Sequence, residues 1–190
     1  MLDRALDALA ESRVETVYAV VSPHASATRA RLVDERTGPS VIDAPGDGYV
    51  ADLQYAMESI GPDGEPLLTV AADLPLVDAA AVNGVIDASR AAGDDDAPGS
   101  LTVCVPAARK RELGVSADAA TEVDGREVVP AGINVVGGSG GAGSDDESAD
   151  AAVHVTEDAR LAVNVNYPSD VRVAERLLAD GEADDREDDD

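Results

Sequence analysis

Pro66-Leu67-Leu68-Thr69-Val70-Ala71-Ala72-Asp73-Leu74-Pro75-Leu76 decides the reading of this chain. An uncharged, largely apolar run ends on a carboxylate followed by a Leu-Pro pair. A nearly continuous run of this length predicts a strand over 66–72 buried on both faces, the habit of a parallel sheet. Asp78 then stands as the cap of a helix over 78–92. Before the run, Val50, Leu53, Ala56 and Met57 give helical spacing to 49–60, and 40–43 reads as a short strand. Earlier still, Leu2, Leu6 and Leu9 mark a helix over 2–12. A β-rich stretch over 14–21 stops at Ser22-Pro23, and 25–34 is a further helix. Strand alternating with helix predicts an α/β fold with a mainly parallel sheet covered on both faces.

Beyond that unit the pattern gives strands over 101–105, 133–136 and 161–165 and a helix over 169–178. The domain is read as residues 1–179. Two stretches interrupt it: an acidic loop over 93–99, and a Gly/Ser/acid segment over 137–150 read as a flexible insertion. Residues 180–190 are nearly all acidic and read as a disordered, solvating tail. No internal repeat is evident.

The chain has 190 residues, enough for one domain with a real core, and a formal net charge of −25. It contains no Phe or Trp, yet 44% of its residues are hydrophobic, and they keep strand and helix periods. The reading is a folded domain with an acid-coated surface. Such a surface suits high salt, where self-repulsion is screened, and points to a halophilic source. Lys110 is the one lysine, and no basic stripe exists, which argues against nucleic acid or an anionic membrane as partner. No apolar run approaches the ~20 residues of a membrane span, and the first helix is read as standing without a leader. The expected place is the cytoplasm. Cys104 lies in an apolar strand and reads as a core thiol.

Asp73 ends a buried strand, where ligands of open parallel sheets bind. A carboxylate there can hold Mg²⁺ against a triphosphate, or simply close a turn. Asn166, before Tyr167-Pro168-Ser169, is placed to join the same metal or to mark helix entry. Gly46-Asp47-Gly48-Tyr49 joins a strand to a helix, and its glycines allow close backbone approach to an anion or a tight turn. Asp47 and Asp52 repel phosphate but suit the N–H donors of a guanine edge. Gly132 and Asn134, in Val129-Pro130-Ala131-Gly132-Ile133-Asn134, open a strand where a ligand can approach the backbone. His24 and His154 have no partners at transition-metal spacing.

Taken together, Gly46-Asp47-Gly48-Tyr49 with Asp52-Leu53, Ala72-Asp73-Leu74 and Val129-Pro130-Ala131-Gly132-Ile133-Asn134-Val135-Val136 resemble the nucleotidyltransferase superfamily. Within it they are most similar to the archaeal GTP:adenosylcobinamide-phosphate guanylyltransferases of cobalamin biosynthesis. The resemblance implies a Rossmann-like nucleotidyltransferase domain and transfer of GMP from GTP to adenosylcobinamide phosphate, releasing pyrophosphate. It implies Asp73 as catalytic and metal-binding residue, with Asn166 as second Mg²⁺ ligand. It also places Gly46, Gly48, Tyr49, Asp52, Gly132 and Asn134 at the nucleotide. Molybdopterin or another phosphate acceptor, and a degenerate, non-catalytic binding domain, are the alternatives. The family's opening strand, Gly-Gly-x-Gly-x-Arg loop and Lys-Pro are not among these residues. The fold is therefore read with its first strand missing, and residues 1–190 by themselves are expected to hold GTP weakly or not at all and to show no guanylyl transfer.

Overall fold

The computed structural model describes residues 1–34, 38–61, 65–93, 98–137 and 151–187. The interruptions expected over 93–99 and 137–150, and the end of the tail, fall largely outside these residues, at 94–97, 138–150 and 188–190.

The amino-terminal half alternates as its periodicity predicts: α1 (Leu2–Ala10), β1 (Tyr18–Val21), α2 (Ser26–Asp34), β2 (Ser40–Asp43), α3 (Tyr49–Ile60), β3 (Leu67–Val70) and α4 (Ala79–Ala92). Asp78 caps α4, its carboxylate accepting the Ala81 N–H at 2.7 Å. The carboxy-terminal half is β4 (Leu101–Pro106), α5 (Ala107–Leu113), β5 (Thr121–Val123), β6 (Arg126–Val136), β7 (Ala152–Val155), α6 (Ala159–Ala162) and α7 (Pro168–Glu187).

The strands form two sheets in a mixed α/β fold. β1 and β2 pair in parallel as a two-stranded ribbon. The second sheet runs β3-β6-β4-β7, with β5 added to β6. β4 and β7 are parallel, whereas β6 runs against β3, β4 and β5. The reversal at β6 has a local cause. Asp124 and Gly125 both take positive φ, 49° and 74°, which is the two-residue turn that folds β5 back onto β6.

The core lies where α1 and α4 cover the larger sheet. Leu74, Val82, Val85, Val103, Val105 and Ile133 are all buried there. Each fully buried side chain of this kind contributes roughly 1.5–3 kcal/mol. A smaller cluster of Leu76, Val115, Val163, Val173 and Ala174 fastens α7 beside it. Cys104 is buried in β4, and burial raises its thiol pKa.

Four expectations need correction. The strand read over 66–72 as buried on both faces in a parallel sheet is β3, half-buried along its length and paired antiparallel with β6. Residues 161–165 do not form a strand: Asp158 accepts the Arg160 N–H at 2.9 Å and caps the short α6, after which the chain runs extended without joining a sheet. A five-residue apolar run has no period that separates strand from helix. The strand expected at 133 begins at Arg126, because Pro130 holds a paired position opposite Cys104 at an irregularity in the ladder. Finally, α7 continues past Leu178 through Glu187, across residues read as a tail. Ala, Glu and Arg are good helix formers, and Gly181 is the one strong breaker in that stretch.

Candidate functional site

Asp73 lies in the turn after β3, half-buried. Its backbone carbonyl accepts the Val165 N–H at 2.9 Å, so the segment after α6 is tied to the end of β3. Burial pushes the Asp73 carboxyl pKa up, and the nearby Lys110 charge partly offsets this. The structure thus brings together Asp73 and the segment carrying Asn166, two residues that lie far apart in sequence.

Beside both lies Lys110, the one lysine of the chain. Lys110 is 1% exposed. Its ammonium donates to the Ala162 carbonyl at 2.8 Å and to Asn164 Oδ1 at 2.6 Å. Burial lowers its pKa, while Asp170, Asp73 and Asp118 act in the opposite sense. The flanking arginines of Arg109-Lys110-Arg111 face other partners. Arg109 donates to the Glu157 carbonyl and pairs with Glu112, and Arg111 pairs with Glu127 at 2.6 Å.

Asp170, which the sequence did not single out, organises the other side. Its buried carboxylate accepts from Ser116 N and Oγ, both at 3.0 Å, from Asn166 N at 3.1 Å and from Tyr167 N at 2.9 Å. Burial alone would raise its pKa, but these donors hold it below the ordinary value. Asn166 Nδ2 donates to Ser116 Oγ at 3.2 Å, which leaves Oδ1 as its outward end. The available signal was Asp at the third position of a helix opening on Pro-Ser-Asp, the N-terminal place for a carboxylate.

The expected nucleotide residues divide. Asp73 and Tyr49 line one cavity of about 1130 Å³ between β1 and β3, roofed by α1, α3 and α4. Gly46 (φ +86°) packs on Pro23, where an added Cβ would sit 2.8 Å from the ring. That close approach is made to protein. Gly48 caps α3 with φ +110° and open space around it. Asp52 Oδ1 accepts from Gly46 N at 2.8 Å and Asp47 N at 3.2 Å, so this carboxylate closes the loop. Gly132 packs against Ala71, whose N–H donates to the Gly132 carbonyl at 2.8 Å. Asn134 sits mid-strand between Thr69 and Thr102 and does not itself line Asp73's cavity, although Thr69 and Val135 do.

Asp73 lines the large cavity and Asn166 the smaller hollow beside Ser116. The structure joins their segments through the Val165 N–H without placing both side chains in one cavity. Each is an oxygen donor of the kind Mg²⁺ takes, an ion that keeps several waters and few protein ligands. Among the described residues no group of three or more His, Cys, Asp or Glu side chains could form a denser metal site. The described helices include none long and apolar enough to cross a membrane.

The sequence profile of the MobA-like NTP transferase domain matches residues 1–128. The chain belongs to that family. No curated protein matches it in sequence. Among solved structures it is similar to a hypothetical transferase from Thermus thermophilus, at 16% identity and a TM-score of 0.47, over 72% of this chain and 51% of that one. The chain thus spans about half the length of that protein.

Proposed function

We propose that this domain transfers a guanylyl group from GTP to a phosphate-bearing acceptor, with adenosylcobinamide phosphate as the first choice. The observation that supports the reading is Asp73: a half-buried carboxylate at the end of β3, on the wall of the large cavity and tied to the Asn164–Asn166 segment. An acceptor phosphate oxygen attacks the α-phosphorus of GTP. The bond from that phosphorus to the bridging oxygen breaks, and pyrophosphate leaves with the electron pair. Little covalent work falls to the protein, so positioning and charge neutralisation carry the catalysis. Asp73 and Asn166 would hold Mg²⁺, which when bound supplies charge neutralisation at the phosphates. Lys110, held by Ala162 and Asn164, keeps a positive charge beside Asp73 before substrate arrives.

Molybdopterin fits the family equally well as acceptor. The test is α-labelled GTP at millimolar concentration and high salt, offered with each acceptor in turn. Label on one acceptor, lost in Asp73→Asn, supports transfer and names the substrate. GTP binding without transfer to either acceptor overturns the reading in favour of a binding domain.

A further inference from the structure

The turn after β3 and the segment through α6 are joined twice. At one end the Val165 N–H donates to the Asp73 carbonyl at 2.9 Å. At the other, Arg160 Nη1 donates to both oxygens of the Asp78 carboxylate, each at 2.9 Å. Asp73 and Asp78 stand as far apart along the first segment as Arg160 and Val165 do along the second. The two ties therefore bracket an antiparallel seam. Between them the seam is apolar and closed: Leu74, Leu161 and Ala162 belong to the main core, and Leu76 and Val163 to the smaller cluster.

The Arg160 tie reaches further than one pair. Its Nε and Nη2 donate to Asp158 at 3.0 and 2.6 Å, and Asp158 also caps α6. Asp78 meanwhile caps α4 through the Ala81 N–H. One guanidinium thus holds the single turn of α6 against the first turn of α4. The chain leaving α6 carries the Ala162 carbonyl and Asn164, both acceptors of Lys110, and then Val165 and Asn166. Any rotation of α6 about its cap would move all of these relative to Asp73.

Magnitude separates positioning from stability here. The Arg160 and Asp78 side chains are 38% and 45% exposed, and ion pairs so open to solvent add little to global stability. Direction is another matter. Two carboxylates bound by one planar group leave α6 a single orientation. We propose that Arg160 and Asp78 are positioning residues, which hold the Asn164–Asn166 segment in register with the turn that carries Asp73. They act through α6 and α4 rather than at the reacting atoms. The expected effect on rate rests on the transfer reading above, because a misplacement of about 1 Å can cost roughly a hundredfold.

Residues 1–190 are compared at high salt with Arg160→Ala, with Asp78→Ser and with the double variant. Serine removes the carboxylate but keeps a capping oxygen for α4. Asp87→Ala, which breaks a similarly exposed pair between α4 and Arg13, is the control. Amide exchange at Val165, resolved by NMR, should quicken roughly tenfold in Arg160→Ala and in Asp78→Ser, and no further in the double variant. It should stay at wild type in Asp87→Ala, while thermal midpoints and the amides of mid-α4 hold in every variant. In guanylyl transfer the two single variants should lower kcat by roughly ten- to a hundredfold and keep the KM for GTP. Val165 exchange that stays at wild type, or that quickens only in step with the whole domain, overturns the proposal. So does a loosened Val165 with kcat intact, which would make the brace structural alone. A loosened Val165 in a chain whose wild type transfers nothing upholds the brace and sinks the transfer reading by itself.

Discussion

Ser116 gives both its backbone N–H and its hydroxyl to the Asp170 carboxylate, each at 3.0 Å, and so pins the loop after α5 to the start of α7. Asn166 and Tyr167 donate to the same carboxylate. Replacing Asp170 with Ala strands these donors, and stability should fall by roughly 2 kcal/mol or more. The pH dependence follows from the sign of the shift. The folded pKa lies below the ordinary 3.8, so the contribution is complete above 3.8 and is lost as pH falls through the folded value. Urea midpoints of wild type and Asp170→Ala should therefore converge on acidification below pH 4. A constant gap would assign the loss to packing.

Lys110 has the opposite ledger. Its folded pKa is depressed by burial from 10.5. Between the folded value and 10.5 the unfolded chain binds more protons, so the contribution of Lys110 to stability rises with pH. Lys110→Met removes that titration along with the bonds to Ala162 and Asn164. The variant should be destabilised at pH 7, because two buried acceptors lose their donor. The deficit should widen toward pH 10. A deficit that narrows over that range contradicts the assignment.

Asp73 separates function from stability. Burial raises its pKa, which means that the ionised carboxylate is held at a cost near neutral pH. Asp73→Asn removes the charge and keeps the shape. The thermal midpoint should hold or rise, while guanylyl transfer falls by orders of magnitude through loss of a charged group at the phosphates. A large drop in midpoint would make Asp73 a structural turn residue.

The amino-terminal half was legible because each element there keeps its period over enough residues, and Asp78, a cap by sequence, is a cap in the structure. The place of Asp73 just after a strand was legible too, since a run of apolar residues shows where a strand stops, but the half-burial of β3 and its antiparallel pairing were not. The rest was hidden for physical reasons. Lys110 is one of three consecutive cations, and only tertiary packing tells which side chain of Arg109-Lys110-Arg111 turns inward. Asp52 looked like a free acceptor, but short carboxylates bond to nearby backbone N–H groups, and it does so to Gly46 and Asp47. The hairpin turn at Asp124-Gly125 carried a readable dipeptide signal. Pro130 obscured the strand that follows, because proline in a run argues against pairing.

The formal charge of −25 sets the response to salt. Repulsion among these carboxylates reaches about 10 Å at 0.1 M ionic strength and about 3 Å at 1 M. The thermal midpoint should climb steadily between those conditions. A midpoint that stays level would show that the acidic surface is not what limits stability.

The same charge governs association. Among the described residues β1 pairs with β2 alone and β3 with β6 alone, so each presents a second edge without a ladder partner. Both strands line the large cavity, and Val20 on β1 is 42% exposed. Free edges template pairing with another chain unless charge keeps chains apart. At 0.1 M salt the acidic surface supplies that repulsion; at 1 M it is screened while the edges remain. Sedimentation velocity should therefore show a single small species at low salt and concentration-dependent association at high salt. Val20→Lys places a cation on the edge of β1, the usual guard of exposed strands, and should suppress the association without lowering the thermal midpoint. Association that is equally strong in Val20→Lys would locate the contact away from β1, and a species that stays monomeric at 1 M salt would show that the cavity walls shield both edges from other chains.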